Sequence, residues 1–318
     1  MNESLPFPEV LKEIFDRPEV AIAQLYRLSD MSPEEMEAVM ARWPELPEQR
    51  RRIVTRHLAD LSEENFVVDF SPLLRRFLSD PSPEVRLAAL DGLWDTSNTT
   101  CVSPIIRLME EDAEERVRAA AAATLGHFVL LGEWGQLSPR ISERIVAALL
   151  ATFDSDRTSA MVRRATVESL GNSAHPRVAQ IIDDGYHQGE ETMRLSAVFA
   201  MGRSADPRWL PTILDEMSSP EPEMRMEAAR AAGNLGSSDA VERLVELLED
   251  EELEVQLAAV TALGQVGNEQ AQEALQELMQ DPESIALLEA AEAALEEIEW
   301  LGGEIDLTMM DWDEDELA

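Results

Sequence analysis

The stretch Leu253–Gly264, LEVQLAAVTALG, decides the fold. Val255, Ala259 and Leu263 recur every four residues, which puts them on one face of a helix. The same pattern stands upstream as PEMRMEAARAAG (222–233), ETMRLSAVFAMG (191–202), AMVRRATVESLG (160–171), ERVRAAAAATLG (115–126) and PEVRLAALDGLW (83–94). The units start at Val85, Val117, Val162, Met193, Met224 and Val255, with separations of 32, 45, 31, 31 and 31 residues. Position +1 is Arg86, Arg118, Arg163, Arg194 or Arg225, and Gln256 in the last unit. Position +4 is Ala89, Ala121, Thr166, Ala197, Ala228 or Ala259. Position +9 is Gly126, Gly171, Gly202, Gly233 or Gly264, with Trp94 in the first unit. A degenerate seventh copy runs from Ala286 through Ala290 to Leu295, without the Arg or the Gly.

The small residue at +4 lets a neighbouring helix approach closely, and Gly at +9 is expected to end the helix in a left-handed conformation. A second helix then starts behind a polar cap, as at Asp206-Pro207 before Trp209 or Asn268 before Ala271. Proline in a first turn is expected at Ser82-Pro83, Asp206-Pro207, Pro220 and Asp281-Pro282. Each unit is thus two antiparallel helices that cannot hide their apolar face alone and must stack. The six quoted segments resemble the HEAT-repeat family, in particular its short repeats named after phycobilisome lyases, over about residues 71–301. The resemblance implies an all-α protein, an α-solenoid of stacked antiparallel helix pairs in a right-handed superhelix. It implies little about activity, because such repeats serve scaffolds, adaptors and a few enzymes alike.

Residues 1–70 lack the repeat. Met36, Val39 and Met40, then Ile53, Val54, His57, Leu58 and Leu61, have helical spacing and predict a helical N-terminal cap. Residues 71–301 are the solenoid, with six clear units and the degenerate one, and 302–318 are an acidic C-terminal tail.

The chain carries 64 acids against 26 bases, a formal net charge of −38, and is 45% hydrophobic but only 5% aromatic. That much apolar content excludes a wholly disordered chain. The charge repels nucleic acid and an anionic membrane surface, and suits a basic protein partner. A high-salt cytoplasm would select the same acidity, and the skew to a single lysine, Lys12, reads as a habitat signature. The one cysteine, Cys101, cannot form an internal disulfide. With no leader-like start and no run of 18 apolar residues, a cytoplasmic, soluble protein is expected.

Four features are candidate sites. By the resemblance, the Arg-bearing helix lines the concave face, with +2, +3 and +6 pointing into the groove. Leu195, Phe199, Met226 and Leu257, with Arg230 among them, then form a strip that either docks a helix or peptide or fills gaps between units. The column Arg86, Arg118, Arg163, Arg194 and Arg225 is read as a structural ladder tying each helix start to an acid or carbonyl of the preceding turn, with Asp80, Asp112 and Glu191 as candidate partners, before it is read as an anion clamp. The long second spacing holds an insertion at His127–Pro139. It presents Trp134 at a loop tip as a hot spot, or else extends the first helix through Phe128, Val129, Leu130 and Leu131. Finally, no base follows Arg243, whereas 23 acids do. Leu307, Met310 and Trp312 among the last acids suggest a segment that orders on a partner, docks back on its own helices, or stays disordered.

Catalytic signatures are missing. The di-iron HEAT-like enzyme deoxyhypusine hydroxylase uses His-Glu dipeptides, whereas the four histidines here precede Leu58, Phe128, Pro176 and Gln188. HEAT-like alkylpurine glycosylases use a basic groove, which this charge contradicts. The reading is therefore a non-catalytic, protein-binding scaffold or adaptor with no cofactor and no metal, whose partner is another protein, basic or presenting a helix or peptide. Two alternatives stand beside it: a lyase-like or chaperone-like protein acting on a chromophore-bearing or otherwise modified protein, and an acidic nucleic-acid mimic.

Overall fold

The computed structural model describes residues 5–65, 67–280 and 285–302. Among them are eighteen α-helices, short 3-10 turns and no strand. The chain divides into two compact units, Met1–Ala200 and Met201–Ala318. The first holds α1 (Phe7–Phe15), α2 (Ile22–Leu25), α3 (Pro33–Arg42), α4 (Glu48–Glu64), α5 (Ser71–Phe77), α6 (Pro83–Asp91), α7 (Val102–Glu111), α8 (Glu115–Glu133), α9 (Pro139–Asp154), α10 (Ala160–Leu170) and α11 (Val178–Gln188). Helix α12 (Glu191–Arg203) runs across the division. The second unit continues with α13 (Leu210–Glu216), α14 (Pro222–Leu235), α15 (Val241–Glu246), α16 (Leu253–Val266), α17 (Glu269–Gln280) and α18 (Ile285–Gly302). These form stacked helix pairs, the architecture of an α-solenoid: α7 packs on α8 and α17 on α18 within pairs, and α8 on α10 and α14 on α16 between them.

The predicted core face is the core. Val85, Ala89 and Leu93 have no exposed surface, and the same holds for Val117, Ala121 and Leu125. In the last clear unit Ala259 and Leu263 are fully covered and Val255 is 1% exposed. Helix starts follow the expected chemistry at Ser82-Pro83, where Pro83 opens α6. Asn268 accepts from the backbone N–H of Ala271 at 2.8 Å. Pro222, not Pro220, opens α14, and Asp206-Pro207 opens a 3-10 turn. Asp281-Pro282 lies outside the described residues.

The +9 glycines are not left-handed helix ends. Gly126, Gly202, Gly233 and Gly264 lie inside α8, α12, α14 and α16, and Gly171 is right-handed. A Cβ on Gly171 would sit 2.8 Å from the Cα of Ala200, and one on Gly202 would sit 2.5 Å from the Cα of Ala231. On Gly233 it would sit 2.8 Å from the Cα of Ala262. The column is therefore a seam where each of these helices touches the backbone of the next at its +7 alanine, and Gly126 meets the +7 residue Ser169 in the same way, a contact closed to any residue with a side chain. The left-handed caps come three residues later, at Gly236 and Gly267, both with φ of 61°.

The N-terminal residues pack as helices on the first repeat. Trp43 stacks on Phe77 with ring centroids 3.8 Å apart and donates its indole N–H to Asp80 at 2.8 Å. Arg50 donates to the carbonyls of Arg17 and Pro18. Ser32 and Glu35 close a capping box at the start of α3.

Candidate functional site

The Arg column forms a hydrogen-bonded ladder along the loops. The guanidinium of Arg86 forks onto Asp112 at 2.7 and 2.8 Å, and its Nη1 donates to the carbonyl of Asp80 at 2.8 Å. Arg225 repeats this with Asp250, at 2.7 and 2.8 Å, and with the carbonyl of Ser219 at 2.9 Å. Gln256, the exception in sequence, keeps the second half: its amide donates to the carbonyl of Asp250 at 2.7 Å. Hydrogen bonding from Arg225 holds the Asp250 carboxyl below the usual carboxylate range. The ladder starts one helix before the recognisable repeats. Arg51 of α4, nearly buried, binds the Asp80 carboxylate at 2.9 and 3.3 Å. Sequence reading passed over Arg51 because it sits in the run Arg50-Arg51-Arg52; the signal was an aspartate, Asp80, at the same loop place as Asp112 and Asp250.

The remaining ladder positions differ. Arg118 donates Nη1 to the carbonyls of Asp112 and Ala113, at 2.7 and 3.2 Å. Arg163 donates to the carbonyl of Ser155 at 3.1 Å, while its Nε is buried with no partner. Arg194 lies over the ring of Tyr186, 5.3 Å from its centroid.

A cleft of about 950 Å³ opens along α4, α6 and the start of α8 in the first unit. Leu87, Ala88 and Asp91 line it, the +2, +3 and +6 positions of the first repeat. Helix α4 adds Ile53, 39% exposed, together with Arg52, Arg56 and His57. Arg56 bridges Asp60 at 2.7 Å and Asp91 at 2.8 Å, and Arg116 stands 3.6 Å from Glu84. The result is an apolar floor between charged walls, in a region richer in bases than the chain as a whole. Arg52, Arg56 and Arg116 were not singled out in the sequence, and Ile53, read there as an apolar position of the cap helix, is exposed on the cleft instead of packed. The cluster of bases at 50–57 was the available signal.

The strip residues Leu195, Phe199, Met226 and Leu257 are each half-buried, and Arg230 is exposed beside Glu227 at 3.8 Å. Leu195 and Phe199 belong to the first compact unit, and Met226, Arg230 and Leu257 to the second. The insertion at His127–Pro139 extends α8, burying Phe128, Val129 and Leu131, and leaves Trp134 63% exposed at the helix end. Leu307, Met310 and Trp312 lie outside the described residues.

Reactive groups are subdued. Burial pushes the Cys101 thiol up to about 11, so it is protonated at neutral pH. Burial pulls His127 below the ordinary imidazole range, opposed by Asp95. Among the described residues, no three His, Cys, Asp or Glu side chains converge as metal ligands, and no helix is long and apolar enough to cross a membrane.

Stacked pairs of helices joined at a tight seam define an α-solenoid repeat protein. The HEAT-repeat family profile matches residues 70–133, 187–252 and 210–296, more than half of the sequence, and the chain belongs to that family. No curated protein matches it significantly. Among solved structures it is similar to the CpcE and CpcF complex of phycocyanin lyase from Nostoc sp. PCC7120, at 19% identity and a TM-score of 0.47 over 72% of this chain and 94% of that one. YibA of E. coli matches at 17% identity and a TM-score of 0.44, over 88% of this chain and 98% of that one. Human deoxyhypusine hydroxylase in complex with glycerol matches at 18% identity and a TM-score of 0.33, over 75% and 97%. None of these likenesses bears on activity.

Proposed function

We propose that this protein is a non-catalytic scaffold that binds a helix or extended peptide of another protein in the groove of α4, α6 and α8. The observation that carries this reading is the cleft of about 950 Å³ with Ile53, Leu87 and Ala88 on its floor and arginines and acids on its walls. An apolar floor supplies contact area, and charged walls set register and exclude wrong partners. The formal charge of −38 adds long-range attraction for a partner that is basic overall.

The test is affinity capture with mass spectrometry, comparing the wild type with Leu87→Glu. Leu87 is half-buried on the groove, so thermal unfolding must first show that the variant stays folded. The expected result is loss of the specific partners at matched stability, and weaker capture by the wild type at high salt. Capture of the same partners by Leu87→Glu overturns the groove assignment.

A further inference from the structure

Asp112 and Asp250 each stand five residues before the first core residue of their unit, Val117 and Val255, and each meets the arginine of the preceding unit. The equivalent position before Val162 is Arg157. At this point of the ladder the fork of Arg118 faces a loop that offers a second cation in place of a carboxylate.

The local geometry fits an incoming acid. Arg118 uses Nη1 on the two loop carbonyls, and no carboxylate among the described residues pairs with its guanidinium. The Arg157 side chain is exposed and unpaired among those residues. Both arginines line a cleft of about 320 Å³ with Thr152, Ser155 and Thr158. The Ser155 hydroxyl oxygen accepts from the backbone N–H of Arg157 at 3.2 Å, which leaves its proton available to donate. The Thr158 hydroxyl donates to the carbonyl of Thr152 at 2.6 Å, closing the loop behind the cleft. Glu110 borders the same cleft without pairing with either guanidinium. Two like charges on one cleft repel, and an anion between them relieves that repulsion while satisfying a planar fork.

We propose that Arg118 and Arg157 form a binding site for a carboxylate from outside the chain, the Asp or Glu side chain of a partner protein. It is held by Arg118 as Asp112 is held by Arg86. The site lies between the first turn of α8 and the loop after α9, and it shares no lining residue with the α4–α6–α8 groove.

Side-chain Nε–Hε NMR spectra of the full chain test this, with signals assigned by Arg→Lys variants. The probes are sodium acetate, an acetylated Asp-Gly-Asp amide and inorganic phosphate, all at constant ionic strength. The expected result is a saturable shift of the Arg118 signal with acetate and, at lower concentration, with the peptide, while Arg86 and Arg225 stay unmoved. Arg157→Ala weakens that binding about five-fold, equivalent to about 1 kcal/mol. Arg157→Asp supplies the carboxylate from within, so it abolishes the titration and raises Tm by about 2 °C. A shift that does not saturate, or an Arg157→Asp variant that titrates like the wild type, overturns the site. Tighter binding of phosphate than of either carboxylate overturns the ligand class, and equal affinity for acetate and peptide overturns the protein source.

Discussion

Arg86 and Arg118 occupy the same place in successive repeats and differ in one half of their surroundings. Both donate to the carbonyl six residues earlier, at 2.8 and 2.7 Å. Only Arg86 also grips a carboxylate, Asp112. Gln256 shows which half the repeat requires, because it keeps the carbonyl bond with a neutral side chain. The backbone clamp belongs to the fold. The carboxylate half is a variable position, closed at Arg51, Arg86 and Arg225 and unclosed at Arg118.

Breaking a closed, buried position has the largest expected effect. The Asp80 side chain is 1% exposed and accepts from Trp43, Arg51 and the backbone of Ser82. Asp80→Ala leaves the Arg51 charge buried and unpaired, and should cost about 3–5 kcal/mol in urea unfolding. Asp250→Asn tests a more accessible closed position, with an expected cost of about 1–2 kcal/mol at neutral pH. The folded carboxyl of Asp250 lies below its ordinary value, held there by hydrogen bonding from Arg225. Its stabilisation is therefore fully present above the unfolded carboxyl pKa of about 3.9 and is lost as pH falls through the lower folded value. Melts of the wild type and Asp250→Asn should converge in acid, and a gap that persists at low pH would refute this origin. The smallest effect belongs to the unclosed position: without a bound acid, Arg157→Ala should stay within about 0.5 kcal/mol of the wild type by the same urea measurement.

The repeat register was legible in sequence because burial follows helical spacing, and positions such as Val85, Ala89 and Leu93 are fully covered as that spacing requires. The arginines were legible as a column, and the carbonyls of Asp80 and Asp112 in the preceding turn take Arg86 and Arg118 as expected, but the carboxylate partners across units were not legible. A bidentate pair joins residues 25 to 29 positions apart, and only the fold shows that the Asp112 carboxylate serves Arg86 while its carbonyl serves Arg118. The +9 glycines misled because a helix end and a close helix contact both select against a Cβ. The two differ in the partner, which for Gly202 is the backbone of Ala231. The groove at α4 escaped notice because Ile53 and Arg56 acquire a role only when α6 lies beside them.

The glycine seam also dictates where this chain tolerates a change in length. One residue added between a core position such as Val162 and its contact residue Ser169 would swing everything beyond it about 100° round the helix axis and pull the seam out of phase. The unit with 45 residues instead of 31 conforms: its surplus lies beyond Gly126, after the touch with Ser169, where α8 runs on to Glu133. A change in length is therefore expected to be tolerated as a whole repeat or downstream of the seam, where it leaves the meshing of neighbouring helices undisturbed.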